Sequence, residues 1–219
     1  MNIHEAARAN MIENQLRPNK VTDERVIGAF ARLRRELFVP EPMRGVAYVD
    51  EDLPLGGGRY LMQPMVAARL LQTAAVDAKD TALVVGAGVG YEAALLSLLA
   101  RSVVALEDNA ELARFGRAAL VEHGIASVTY VEAPLAAGHR QKAPYNVILF
   151  GGGVAETPEE IGSQLGEGGR MVAVVRAPAG GLGRASVNVR TGGVLAHRVI
   201  FDAATPLLPG FVPKPAFVF

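Results

Sequence analysis

Residues 82–107 constrain the fold of this chain more than any other stretch. An apolar run, Ala82-Leu83-Val84-Val85, ends in Gly86-Ala87-Gly88-Val89-Gly90-Tyr91; a helical pattern follows, and then Val103-Val104-Ala105-Leu106-Glu107. A strand that ends in glycines and feeds a helix presents free backbone N–H groups to a ligand, and an acidic residue about twenty positions later reaches ribose hydroxyls. The pattern predicts a βαβ unit around a nucleotide-type cofactor. The dinucleotide fingerprint G-x-G-x-x-G needs its last glycine where the helix packs on the strand. Tyr91 takes that position here, and the spacing is G-x-G-x-G.

The rest of the chain extends this unit. Strands are expected at 81–85, 102–107, 127–132, 145–150 and 170–175, with helices at 91–100, 109–123 and 157–165 between them. Such alternation implies a parallel sheet with helices on both faces. Thr157, Pro158 and Glu160 read as N-cap, first helical position and capping box of the last helix. Segments 184–190 and 194–201 flank Thr191-Gly192-Gly193, a hairpin signal. Ahead of the core, 4–17 and 22–37 read as helices, the second with Thr22 as N-cap and Val26, Ile27, Phe30 and Leu33 on one face. Prolines and glycines break any period from Pro40 to Gly58, and Pro64 opens a further helix. The expected architecture is one α/β domain over 1–219, with a helical cap and substrate-side region at 1–80 and a cofactor-binding core at 81–219. The C-terminal stretch from Pro206 is too rich in proline for a helix and too apolar for a solvated tail, so it is expected to dock on its own subunit or on a second copy in a homodimer.

Composition narrows the function. Twenty-two basic and twenty-two acidic residues cancel, which leaves no electrostatic footprint for nucleic acid or an anionic membrane. Small molecules or polypeptides are the expected partners. The first twenty residues lack the apolar core of a signal peptide and no run approaches membrane-span length, so a cytoplasmic setting is expected. With no cysteine and with His4, His123, His139 and His197 scattered, neither thiol chemistry nor a metal site is expected.

The G-x-G-x-G loop resembles the first motif of the S-adenosylmethionine-dependent methyltransferases, whose cofactor carries ribose and adenine but no pyrophosphate. Further blocks, in order, are Met11-Ile-Glu-Asn14-Gln15-Leu16, Arg34-Arg35-Glu36-Leu-Phe38-Val39-Pro40, Ala47-Tyr48-Val-Asp50, Gln63-Pro64 with Ala67, Ala143-Pro144-Tyr145, Gln164-Leu165 and Gly168-Gly169-Arg170. Together they resemble the protein-L-isoaspartate O-methyltransferases, which methyl-esterify the abnormal carboxylate of isoaspartyl residues in damaged proteins. The resemblance implies a Rossmann-like class I methyltransferase fold with a C-terminal antiparallel hairpin, S-adenosylmethionine as cofactor and an isoaspartyl polypeptide as substrate. It places Gly86, Gly88, Gly90, Tyr91, Glu107 and Glu132 at the cofactor. Asp50, Tyr60, Gln63, Gly151 and Gly152 fall on the substrate side, where Arg59 is a further candidate for orienting a peptide.

The chain also departs from the family pattern. Val84 stands where the family's first motif has an acidic residue, Ala133 where an acid would hold the adenine amino group, and Asn146 where an aspartate is expected. Met62 occupies the position of a serine that helps hold the acceptor carboxylate. A carboxylate acceptor is already ionised near neutral pH and needs no general base. Catalysis is then alignment and desolvation, and a lost hydrogen bond to a charged group costs about 1.5–3 kcal/mol. The resemblance therefore implies isoaspartyl carboxyl methylation. A methyltransferase with a different acceptor, and a catalytically inactive relative that serves as a binding or structural protein, are the alternatives.

Overall fold

The computed structural model describes residues 2–177 and 181–212. Its centre is a seven-stranded sheet made of β3 (Thr81–Val85), β4 (Ser102–Glu107), β5 (Val128–Glu132), β6 (Tyr145–Val154), β7 (Leu165–Val175), β8 (Gly183–Thr191) and β9 (Val194–Ala203), in the order β5-β4-β3-β6-β7-β8-β9. The first five of these strands run parallel; β8 and β9 form the antiparallel hairpin at the end. The order reverses between β3 and β6, and in open α/β sheets ligands bind at the carboxyl ends of the strands flanking that switch point. A separate two-stranded hairpin, β1 (Leu53–Gly56) with β2 (Arg59–Leu61), precedes the sheet.

Strand alternation divides the interior into two cores. Ala82, Val84, Ala105 and Leu149 face one side, and there they meet α2 (Glu24–Arg32), α3 (Pro64–Ala74), α4 (Tyr91–Ser97) and part of α5 (Ala110–Glu122). Leu83, Val85, Leu106 and Phe150 face the other, against Leu135, Ile161 of the one-turn α6 (Glu159–Gly162) and Leu208. The helical cover is thus uneven. The first face has four helices over it, whereas the second relies on short turns and the C-terminal segment. The expected docking of that segment holds within its own subunit for residues up to Phe211, while Val212 is exposed; residues 213–219 lie outside the described ones.

Several expected boundaries move for local reasons. Asp23, rather than Thr22, is the N-cap of α2 and accepts from the Arg25 N–H at 2.9 Å. The helix expected at 157–165 shrinks to α6, where Pro158 is itself the cap and no side chain caps the end. The first helix is α1 (Ile3–Met11), continued by a π-turn and a 3₁₀ turn to Asn19. Pro64 does open α3, and Arg170 of β7 caps the other end of that helix, donating to the Ala74 and Ala75 carbonyls at 2.8 Å and to Asp80 at 2.7 Å. Strand β6 does not stop at Phe150 but continues through Gly151-Gly152-Gly153, with its register against β7 shifting between Leu149 and Gly153. No helix among the described residues is long and apolar enough to cross a membrane.

Candidate active site

The glycine loop leaves the end of β3 with the Gly86 and Ala87 N–H groups donating to the Leu106 carbonyl of β4 at 2.9 and 3.0 Å. Gly86, Gly88 and Gly90 all have positive φ (73°, 52° and 84°), a backbone that other residues adopt only with strain. Gly90 is the N-cap of α4 and supplies no capping side chain, so the helix opens on backbone groups alone. Beneath the loop, Tyr130 of β5 donates its hydroxyl to the Gly88 carbonyl at 3.1 Å. Its ring lies so close to Gly90 and Gly116 that a Cβ at either position would overlap the hydroxyl. Burial raises the Tyr130 phenol well above its ordinary range.

Glu107 closes the loop from the end of β4. Its carboxylate is fully buried and accepts from the N–H groups of Gly88 (2.7 Å), Asp108 (3.0 Å) and Asn109 (2.9 Å). It also pairs with Arg59 of β2 through Nε and Nη2, both at 3.1 Å, while Nη2 further contacts Asp108. Arg59 is itself buried, so the residue expected to orient a peptide reaches instead across the mouth of the glycine loop to Glu107. Its Nη1 is buried without a partner.

Other expected residues lie further away. Glu132 sits beside Glu107 in register, half exposed, with its carboxylate on Arg117 at 2.7 Å. Tyr91 is placed in the core: it packs edge-on against Phe30 and Phe38, with the Arg35 guanidinium 4.8 Å above its ring, and burial pushes its phenol far up. The helix geometry explains this, because the first residue of α4 turns toward the cap helices. Met62 is equally buried, and its carbonyl accepts from Arg35 Nη2 at 2.8 Å. Tyr60, between them on β2, faces outward and is exposed. Gln63 is the N-cap of α3, its N–H donating to Asp52 at 2.8 Å; Asp50, expected on the substrate side, has one carboxylate oxygen buried without a hydrogen-bond partner. Gly151 lies against the Gly86 carbonyl, where any side chain would overlap it, and Gly152 lies against Leu208. Asn146 ties the foot of β6 to the Thr81 N–H at 2.9 Å, far from the carboxyl edge. Among the described residues no group of acidic and histidine side chains has metal-site geometry.

These residues fit an adenosyl cofactor in kind. The left-handed glycines bring bare backbone to a switch point, their own N–H groups bound within the loop, to Leu106 and to Glu107, and a buried carboxylate stands beside them. In the conformation described, however, Arg59 covers that carboxylate.

The family profile for Protein-L-isoaspartate(D-aspartate) O-methyltransferase matches residues 6–188. Protein-L-isoaspartate O-methyltransferase of Koribacter versatilis is 40% identical over 171 residues, covering 78% of this chain and 77% of that protein. The namesake from Methanoculleus marisnigri is 37% identical over 168 residues, with 77% and 76% covered. Among solved structures, a protein-L-isoaspartate O-methyltransferase superposes with a TM-score of 0.80 at 24% identity, over 94% of this chain and 67% of that one. A structure described as the Plasmodium falciparum protein in complex with S-adenosyl-L-homocysteine gives 0.79 at 16% identity, over 96% and 100%. The structural likenesses establish the fold; the profile and the sequence identities establish that this chain belongs to the protein-L-isoaspartate(D-aspartate) O-methyltransferase family.

Proposed function

We infer that the chain is an S-adenosylmethionine-dependent carboxyl O-methyltransferase that esterifies isoaspartyl residues in polypeptides, a protein-repair activity. The observation that supports this reading best is the Gly86–Gly90 loop bound to Glu107, at the switch point of a chain belonging to that family. Gly86, Gly88 and Gly90, which carry no side chains, would let the cofactor lie close against the backbone, and Glu107 would take its ribose hydroxyls. When bound, the cofactor supplies an electrophilic methyl group to an acceptor oxygen.

The chain's own task is positional. The acceptor is a carboxylate, ionised without help. The protein must exclude water and set the oxygen in line with the methyl carbon. Buried Met62 does not supply the hydroxyl that the family pattern has at this position. We place the acceptor at the exposed Tyr60 of β2, which packs beside β6, and at the turn at Gln63. Incubation with methyl-labelled S-adenosylmethionine and a peptide carrying one isoaspartyl residue tests the reading. A base-labile methyl ester on that peptide, and none on its aspartyl counterpart, is expected. Label on neither peptide, with cofactor bound, refutes it. One observation favours a second reading, a catalytically inactive binding or structural relative: Arg59 already engages the carboxylate that the ribose would use.

A further inference from the structure

The C-terminal segment lies in the groove that the proposed function assigns to the cofactor. Strand β6 pairs with β3 only as far as Val85 and Phe150, and then continues four residues beyond β3 to Val154. The edge left open there faces the switch point. Residues 206–208 fill it: the Gly153 N–H donates to the Pro206 carbonyl at 2.7 Å, the Leu208 N–H donates to the Gly153 carbonyl at 2.8 Å, and Leu207 bridges Gly153 in parallel. The segment occupies the lane that β3 vacates at Gly86. Leu208 is buried, and a Cβ built on either Gly86 or Gly152 would come within 2.8 Å of its side chain. The surface that these glycines would leave open to a ligand is therefore taken up by a leucine of the same chain.

The segment and Arg59 form one assembly. Pro209 lies against Gly58, where a Cβ would meet its ring at 3.0 Å, and Gly58 is the residue before Arg59. Both occupants thus adjoin the turn of the β1–β2 hairpin. Each also shows features of a contact that can be released. Arg59 keeps one guanidinium nitrogen buried without a partner, an arrangement that disfavours the closed position. Pro206 carries no N–H, so the segment cannot extend its pairing back along β6 toward Gly151. Beyond the two backbone bonds it is held by Leu208 and by the edge-on packing of Phe211 on Phe150, 5.4 Å between ring centroids.

We propose that Leu208 and Arg59 are the two halves of an internal plug that closes the cofactor groove and must withdraw before an adenosyl group can seat on the glycine loop and Glu107. This rests on the cofactor reading above. A protein whose competent form is only a fraction of the population binds its ligand more weakly by that fraction, so loosening the plug raises apparent affinity.

Amide hydrogen exchange on the unaltered full chain, with and without saturating S-adenosylmethionine, needs no variant. Cofactor should speed exchange at the Leu208 and Gly153 amides by tenfold or more while slowing it at Gly88. Titration calorimetry should show Leu208→Ala and Arg59→Gln each binding S-adenosylmethionine at least tenfold more tightly than the parent. Cofactor that further protects the Leu208 amide, or equal affinity in all three proteins, would overturn the plug and leave the methyltransferase reading standing. No binding by the parent or by either variant would overturn both.

Discussion

Replacing Glu107 by alanine tests the closed arrangement energetically, and its magnitude follows from the contacts. The carboxylate accepts from three backbone N–H groups and two guanidinium nitrogens while fully buried. Without it, the Arg59 side chain, 2% exposed, keeps only Asp108, which is 41% exposed. Removing one member of a buried ion pair costs about 3–5 kcal/mol, because the other charge is left uncompensated. Asp108 offsets part of this and the freed N–H groups add to it, so a loss of about 4 kcal/mol is expected. For a chain of this size that lowers Tm by roughly 8–16 °C. Arg59→Ala should cost less, about 1–3 kcal/mol, since Glu107 keeps its three N–H donors. Urea unfolding of parent, both single variants and the double variant at pH 7 completes a double-mutant cycle, with the m-value as a check on two-state behaviour. A coupling of about 2 kcal/mol is expected. Coupling below about 0.5 kcal/mol, or Glu107→Ala within about 1 kcal/mol of the parent, would refute the reasoning.

Three further perturbations follow from buried groups. Burial pushes the Glu92 carboxyl up from 4.5 to about 7, with Arg35 only partly opposing the shift. Its folded state thus holds a proton that the unfolded state gives up, so stability is greatest below about pH 4.5, falls by up to about 3 kcal/mol toward pH 7 and is level above. Glu92→Gln should remove that fall, and a Tm–pH profile between 4.5 and 7.5 that keeps its slope in the variant would contradict the assignment. Gly116→Ala would drive a methyl group into Tyr130 and within 2.9 Å of the Val89 carbonyl, an overpacking that should cost about 1–3 kcal/mol. Adding Tyr130→Phe should recover part of it in thermal melts, and no recovery would mean that Tyr130 is not the obstacle. Met62→Ser, the change that restores the hydroxyl of the family pattern, should cost about 2–4 kcal/mol in a denaturant titration with no gain in methyl transfer, because the side chain is in the core. A faster variant would show that position 62 reaches the acceptor.

The parts of the fold legible in the sequence are those set by local pattern. Apolar runs, one ending in glycine and one in an acidic residue, give β3 and β4 with the bounds read from the residues, and Thr191-Gly192-Gly193 does mark the turn between β8 and β9. Gly151-Gly152-Gly153 carries no strand signal, since glycine has no side chain to alternate. It is strand because Gly151 must lie against the Gly86 backbone and Gly153 must pair with a segment some fifty residues later. Tyr91 follows the glycines as a cofactor contact would, but which way the first turn of α4 faces is fixed by Phe30 and Phe38, far back in the chain. Arg59 in a glycine-rich turn reads as solvated; its partner Glu107 is 48 positions on. Leu208 has no local sign of its destination. Loop, acid and strand order can be read from one window each, whereas what fills the groove depends on contacts between distant windows.

Binding of the cofactor tests the central claim most directly. Calorimetric titration of the full chain with S-adenosylmethionine, and competition by S-adenosyl-L-homocysteine, should show one site per chain that the competitor abolishes and that Glu107→Ala weakens by about one to two decades through lost charge-assisted bonds. A flat titration in the folded parent and equally in Leu208→Ala and Arg59→Gln, or an affinity unchanged by Glu107→Ala, would contradict the assignment of the Gly86–Gly90 loop and Glu107 as the cofactor site.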